Sequence, residues 1–458
     1  MESEDRRPVL IVATLSAFLI PFTGAALNVA LPQMGSELSA DGVALGWFVT
    51  SFLLAAAMFL VPLGKLADIR GRKQVFMVGA WIFAATSLLL ALASSTPVVI
   101  MLRALQGFGG AMIFGNGVAL LTSVYPANER GRVIGVNIAA VYCGLSMGPF
   151  IGGFLTQQLG WRSIFVVTAL LSVATALIST WKLKGEWVAA NKESFDSTGS
   201  LLYCATMFAL MYGLSELPAP HGLGYLVAGA LGLVAFIYWE AGARHPILEL
   251  RLFRDNLAFA YSNLAALLIY GATAAVGFLL SLHLHYVKGL SPQDTGFVLL
   301  AQPVVMAAFS PLAGKLSDRI EPRTLASAGM AITCLGLLIL ASIDTESSLW
   351  FIVATLMLLG FGFALFSSPN TNAIMSSVEK RFYGVASGTM GTMRLLGQML
   401  SMCISMLIIA NVIGRVQITP EHGTLLVQSA RVTYLIFAAL CFGGILASQA
   451  RGNIHQAT

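Results

Sequence analysis

Long apolar runs alternate along this chain with short polar segments that carry nearly all of its charge. Runs of about 20 residues suffice to cross a hydrocarbon core about 30 Å thick as helix. The pattern predicts helices near 9–31, 44–63, 75–94, 98–121, 134–157, 162–181, 199–216, 222–240, 257–283, 294–313, 324–343, 348–367, 383–412 and 431–449. That is fourteen spans, with twelve as the alternative count if the short pair 199–216 and 222–240 is not membrane-spanning. Composition agrees: 57% of the 458 residues are hydrophobic and 10% are charged, against about 25% charged in soluble domains. A soluble enzyme or nucleic-acid binder is excluded, and the expectation is an all-α, multi-pass protein of a plasma or inner membrane. The first run follows Arg6 and Arg7 but is too long for a signal peptide and lacks a small-x-small cleavage site, so it is read as an uncleaved helix.

Charge sets the orientation. Short loops rich in Lys and Arg remain on the cytoplasmic side during insertion. If the N-terminus is cytoplasmic, four of the 26 Lys and Arg (Arg162, Lys288, Arg415 and Arg431) fall outside, and two (Arg103 and Arg394) fall within spans, leaving twenty inside. An odd number of spans would destroy this asymmetry, so both termini are expected in the cytoplasm. The net charge of +5 is thereby explained by topology and implies no nucleic-acid partner. The five cysteines all lie in apolar runs, without a CxxC pair, and are read as small packing residues.

The segment Gly64-Lys65-Leu66-Ala67-Asp68 recurs as Gly314-Lys315-Leu316-Ser317-Asp318, an offset of 250. Gly131, Gly135 and Gly144 recur as Gly384, Gly388 and Gly397, an offset of 253. Two six-helix halves are therefore expected, 1–183 and 257–458, separated by an insert at 184–256 that carries the two extra spans. Repeated halves of this kind build secondary transporters, with the substrate path at their interface.

The turn from Gly64 to Lys73 holds Asp68 among cations, with Arg70, Gly71 and Arg72 following it. A carboxylate there can exchange between helix N-termini and arginines, which makes the turn a candidate latch as well as a topology signal. Gly64 to Phe76 resembles the loop signature of the major facilitator superfamily. Arg103 to Gly110, with Gln106, resembles that family's RxxQGxG segment. Gly144 to Gly153, which contains Gly148, Pro149 and Gly152, resembles its antiporter signature. Asn28 to Pro32, His245 to Phe253 and Ser368 to Thr371 resemble the fourteen-helix drug:proton antiporter branch. The resemblance covers nearly the whole chain and implies alternating access, with Gly64, Asp68, Arg70, Gly71, Arg72, Gly148, Pro149, Gly152 and Asp318 as gating positions.

Cations inside a membrane span usually face a cavity or partner, although one near a span end can instead snorkel. Arg103 fits either reading, and the resemblance favours a proton-relay or gating role. Arg394 lies deeper. With Gln398, Asn370 and Asn372 it is expected to line the path opposite Arg103, whose neighbour Gln106 one turn on shares its hydrogen bonds, and Asn28, Tyr142, Asn263, Tyr270 and Gln302 are further candidates. Interhelical hydrogen bonding is the alternative use of such residues.

The sequence departs from the antiporter branch at one informative place. Where the branch carries an acidic residue five positions before Asn28, this chain has Thr23, and no Asp or Glu lies deep in any span. Asp68, the pair His283 and His285, or an anionic or neutral substrate drawn to Arg103 and Arg394 are the remaining options. Two histidines alone do not fix a metal, so no metal and no cofactor is expected. The reading is a proton-coupled exporter of drug-like or amphipathic small molecules; the alternative is a substrate-specific exporter or facilitator for an anionic or neutral metabolite. Neither an enzyme nor an ATP-driven pump fits, since no catalytic cluster, GxxxxGK[ST] motif or soluble domain is present. Partners are the lipid bilayer, the small-molecule substrate and protons, with no obligate protein partner.

Overall fold

The computed structural model describes residues 3–183, 195–217, 219–243, 246–248, 250–317, 319–379 and 383–452. Asp318 and His245 lie outside the described residues. Among those residues the protein is helical, with no strand and a lone β-bridge between Asp41 and Gln417.

The first group of helices comprises α1 (Ser3–Glu37), α2 (Gly42–Arg70), α3 (Arg72–Ala91), α4 (Thr96–Val124), α5 (Ala127–Leu159) and α6 (Arg162–Lys182). The hairpin α7 (Ser197–Ser215) and α8 (Pro220–Gly242) follows, then the short α9 (Leu250–Asp255). The second group contains α10 (Leu257–Thr273), α11 (Val276–Leu282), a π-helical turn at His283–Val287, α12 (Pro292–Leu299), α13 (Ala301–Ser317), α14 (Pro322–Leu340), α15 (Leu349–Ser376), α16 (Tyr383–Val412) and α17 (Gly423–Ala450). Helix starts follow from the sequence. Asp41, Asp196, Asn256, Ser291 and Ser348 each accept a backbone N–H of the first turn, which satisfies donors left open at a helix N-terminus.

Among the described residues, thirteen helices are long and apolar enough to cross a membrane. Every one of the fourteen expected spans is helical, but α7 is not among the thirteen, because Ser197, Thr198, Gly199 and Ser200 dilute its first turn. Two expected spans are interrupted. The ninth breaks between α10 and α11, and the tenth breaks at Leu300, where Pro303 has no N–H to give the Leu299 carbonyl.

The same packing order appears in both groups. α1 packs on α5 and α6, α2 on α4, and α3 on α4 and α6. Correspondingly α10 packs on α16 and α17, α13 on α15, and α14 on α15 and α17. The groups meet along α2 with α16, α5 with α12 and α13, and α1 with α11. α7 lies across this boundary, touching both α2 and α16. There Tyr203 Oη donates to the Ala57 carbonyl at 3.1 Å, and Trp47 packs against Tyr212 with ring centroids 5.9 Å apart.

Candidate functional site

Consecutive spans run in opposite directions, so the contacts between the groups can be assigned to one end of the bundle. At the end holding the α1–α2, α5–α6 and α16–α17 connections, the seam is closed at three places. On α5, Gly144, Gly148 and Gly152 recur every four residues and form one face. A Cβ at Gly148 would stand 2.6 Å from Ala25 Cβ, and one at Gly152 would stand 2.6 Å from Ala26 Cα. Gly153 points the other way, where a Cβ would stand 2.6 Å from the Pro292 carbonyl oxygen. One turn earlier the Pro149 carbonyl presses on Gly296, and Phe150 meets Phe297 edge-on at 5.1 Å. The glycine segment thus joins α5 to α1 within its group and to α12 across the boundary.

The second closure is α1 on α11. Ser281 Oγ donates to the Asn28 carbonyl at 2.5 Å, and Tyr286 Oη donates to the Pro32 carbonyl at 3.4 Å. The third is α2 on α16. Gly46 accepts the Met406 side chain against its backbone, Gly42 lies on Ile409, and Thr50 Oγ1 donates to Met406 Sδ at 3.6 Å. Gln417 Nε2 donates to the Gly35 carbonyl at 3.3 Å. At the opposite end the groups stand apart. A Cβ at Gly64, Gly135 or Gly388 would meet nothing within 4 Å. The cross-boundary contacts deeper in the bundle are Ser310 Oγ donating to Tyr142 Oη at 3.0 Å, and Gly391 resting on Leu60 and Phe114.

The α2–α3 turn sits at this open end. Gly71 has φ +117 and ψ 127, a conformation that side-chain-bearing residues rarely adopt. Its N–H donates to the Ala67 carbonyl at 2.9 Å and so ends α2. Arg72 grips Asp68 Oδ1 with Nε at 2.9 Å and NH2 at 2.8 Å. Its NH1 donates to Ser123 Oγ at 2.9 Å and to the Ala119 carbonyl at 3.3 Å on the last turn of α4. A cation there also complements the negative end of that helix. Arg70 is exposed and Gly64 faces open space.

Arg103 and Gln106 do not line the boundary. Arg103 is 2% exposed. Its Nε donates to the Phe48 carbonyl at 2.9 Å, NH1 donates to Gln106 Oε1, and the guanidinium covers the Phe52 ring at 4.6 Å. Gln106 Nε2 then donates to Ser87 Oγ at 2.8 Å. Phe48 and Phe52 occupy the face of α2 turned away from Gly42, Gly46 and Thr50, which meet α16. The network therefore binds α2, α3 and α4 together, and the expectation that Arg103 and Arg394 face each other is replaced by two separate environments.

In the second group, Asn370 is also an internal connector. Its Nδ2 donates to the Ser262 carbonyl at 3.0 Å, while its Oδ1 accepts from Arg451 NH1 at 3.0 Å. Arg451, just beyond the last expected span, is 4% exposed and also reaches Ser262 Oγ at 3.3 Å. Asn263 is buried with its Nδ2 donating to the Phe259 carbonyl at 2.9 Å. Half-buried Arg394 stacks on Tyr270 at 5.2 Å, and Tyr270 meets Phe363 edge-on at 5.3 Å. Gln302 and Gln398 are half-buried nearby in sequence to α13 and α16 contacts, and the Gln302 backbone carries the close approach of Gly360. Asn28 Oδ1 is buried without a hydrogen-bond partner, directly beneath the Ser281 closure.

Thr23 faces α6: its Oγ1 donates to the Leu19 carbonyl at 2.8 Å and lies 3.3 Å from Thr168 Oγ1. Among the described residues no group of three or more His, Cys, Asp or Glu is placed to hold a metal.

Comparison with known proteins gives the family. Residues 13–241 and 262–450 match the Major Facilitator Superfamily. The chain is 32% identical over 401 residues to the multidrug resistance protein Stp of Mycobacterium tuberculosis, covering 86% of this chain and 74% of that one. It is 27% identical over 441 residues to the riboflavin transporter RibZ of Clostridioides difficile, covering 96% of each. The tetracenomycin C resistance and export protein of Streptomyces glaucescens is 28% identical over 89% of this chain and 77% of its own length. In fold, the chain resembles a bacterial homologue of the human lysosomal transporter Spinster, with a TM-score of 0.70, 16% identity and 98% of each chain covered. This multi-pass cell-membrane protein belongs to the Major Facilitator Superfamily and is a transporter.

Proposed function

We propose that the protein is a secondary-active exporter of drug-like or amphipathic small molecules, driven by the proton gradient, in the fourteen-helix drug:proton antiporter branch. In this reading α7 counts as the fourteenth span, both termini are cytoplasmic, and the halves 1–183 and 257–458 flank the insert 184–256. The recurrence of one packing order in both groups supports the division. The carrying observation is the α5 glycine segment, which closes one end against α1 and α12 while the other end stands open. With the Lys- and Arg-rich loops on the inside, the closed end is extracellular. The conformation is then inward-facing, ready to load from the cytoplasm.

Asn28, Tyr142, Tyr270, Gln302, Arg394 and Gln398 are proposed as the path. Gly64, Asp68, Arg70, Gly71 and Arg72, with the repeat position Asp318, form the inner latch, and Gly148, Pro149 and Gly152 the outer closure. Arg103, Gln106, Asn263 and Asn370 act from within the groups. Substrate and protons are the partners, and no protein partner is required.

A narrower carrier is the second reading, favoured by the full-length similarity to a riboflavin transporter and by the cation Arg394 without a deep carboxylate. Purified protein in liposomes separates the two. Gradient-dependent movement of several unrelated lipophilic dyes is expected. Movement of riboflavin alone, or of no dye with the gradient imposed, would overturn the broad-export reading.

A further inference from the structure

A second polar site lies behind the extracellular closure, away from the path. His283 opens the π-helical turn at the end of α11, two residues after Ser281, whose hydroxyl closes on Asn28. It is 2% exposed, and its Nε2 is buried with no hydrogen-bond partner. Tyr434 of α17 is also 2% exposed, and its hydroxyl is likewise buried with no partner. Buried polar atoms normally find a partner, and what sets these two apart is that they share one cavity. These two line the same cavity of about 10 Å³, walled by Leu280, Leu340, Ile343 and Val427, with Arg431 at its side. That volume is about the space one water molecule needs, and the two orphaned atoms give such a water its polar partners.

We propose that His283 Nε2 and Tyr434 Oη share one internal water and together form a proton-binding site that governs the extracellular closure. This deepens the proton-coupled reading and rests on it for its use in transport. The proton comes from water on the extracellular side and adds to Nε2, leaving an imidazolium with both ring nitrogens protonated. The other charged and titratable groups around the turn bear on where that state is stable. Arg431 shares the cavity, with its Nε donating to the Ala341 carbonyl at 3.2 Å. Lys288 ends the turn and donates to the Thr345 carbonyl at 2.6 Å beside Asp344, while His285 on the turn lies 3.1 Å from the Leu290 carbonyl. α12 brings Asp294, and the turn Pro420–His422 brings Glu421 and His422. No carboxylate lines the cavity itself.

A new cation in the closed cavity therefore stands beside Arg431 with no counter-charge on the wall. Opening the cavity to water screens that repulsion. A proton that binds the opened form better than the closed one shifts the population toward opening. The π-helical turn is the element placed to yield, since such turns are irregular insertions often found at functional sites. Ser281 just before it and Tyr286 within it carry the closure bonds to Asn28 and Pro32.

The test is hydrogen–deuterium exchange of segment 276–291 in detergent-solubilised protein, corrected for intrinsic rates, between about pH 5 and 8, where histidine titrates. Wild type is expected to show a step of lost protection on acidification. His283→Gln abolishes the step, His285→Gln retains it, and Tyr434→Phe displaces its midpoint. A flat wild-type profile overturns the proposal, and so does a step that survives unchanged in His283→Gln. If His283→Gln does not fold, a Tyr434→Phe midpoint identical to wild type overturns the shared site. The readout needs no substrate. A step lost in His283→Gln therefore supports the site even where liposome transport ignores the pH gradient, a result that would count against the coupling reading alone.

Discussion

Gly153 of α5 and Pro292 of α12 meet backbone to backbone across the boundary between the two helical groups, with 2.6 Å between an added Cβ and the Pro292 carbonyl oxygen. Neither partner can yield as a flexible side-chain tip would. The closeness is specific to the closed end, since glycines at the other end such as Gly135 and Gly388 have open space beside them.

Gly153→Leu is therefore expected to open this closure, extracellular in the proposed orientation, without disturbing the α1–α5 contact made by Gly144, Gly148 and Gly152. Overpacking of this kind costs about 1–3 kcal/mol, or about a 5- to 150-fold shift away from the closed form. An Asn28→Cys probe in a Cys143→Ser background should be labelled from the extracellular side faster in the Leu variant, and export should fall. Unchanged labelling contradicts the closure. Gly148→Leu acts differently, forcing α1 from α5 within one group, and should stop transport without such exposure.

Asp68 and Arg72 form a bidentate pair whose side chains remain 44% and 24% exposed. Exposed pairs contribute about 0–1 kcal/mol. Asp68→Asn should accordingly leave the melting temperature nearly unchanged while reducing export at least tenfold, because the latch loses its charge. Wild-type export by Asp68→Asn would remove the turn from the transport cycle. A large fall in melting temperature would show that its role is structural.

Arg103 makes the opposite case. Arg103→Ala leaves the Gln106 carboxamide oxygen without its donor in a dry interior, at about 1–3 kcal/mol, and unties α2 from α4. Stability and export should fall together, and Arg103→Lys should recover part of both by keeping one donor. Thermal unfolding alongside liposome transport checks this. Loss of export at unchanged stability would return Arg103 to the transport cycle.

The contrast between these arginines shows what a linear sequence conveys. The apolar runs locate the helices, because a buried span in lipid must satisfy its own backbone. The spacing of Gly144, Gly148 and Gly152 reveals a close-packed face for the same reason. Direction about the helix axis is harder to read when every face is apolar. Arg103 and Asn370 stand in spans as polar residues suited to a path, yet their hydrogen-bond partners lie inside their own groups. Thr23 likewise turns to Thr168 on α6. Arg451 reads as a loop residue because the apolar run ends before it, whereas α17 continues to Ala450 and carries the guanidinium to Asn370. Only the tertiary packing brings Ser281 to Asn28 or Ser310 to Tyr142.

Asn370 holds Arg451 through its Oδ1 and α10 through its Nδ2. Asn370→Ala removes a neutral acceptor from a buried cation that keeps only Ser262 Oγ on that nitrogen, a loss on the order of 1.5–3 kcal/mol. Asn370→Asp supplies a counter-charge and should be the more stable of the two variants. The order of their melting temperatures is the measurement, and Ala above Asp contradicts the assigned contact.

In the proposed path Arg394 is the cation that would read substrate charge. It is only half-buried, so its removal leaves no deeply buried partner stranded. What is lost is the contact with Tyr270, worth about 0.5–2 kcal/mol, and the attraction for an anion in the path. At an effective dielectric of about 20, a charge about 5 Å away contributes about 3 kcal/mol before screening. Arg394→Ala should therefore change the ratio of anionic to cationic dye export by about tenfold or more against the anion, with little change in melting temperature. Arg394→Lys keeps the charge but loses the planar stacking, so it should preserve the ratio while lowering both rates. The measurement is competitive export of a matched anionic and cationic dye pair from one liposome preparation. An equal fall for both dyes in Arg394→Ala would mean that Arg394 shapes the helix contact with Tyr270 and does not read substrate charge.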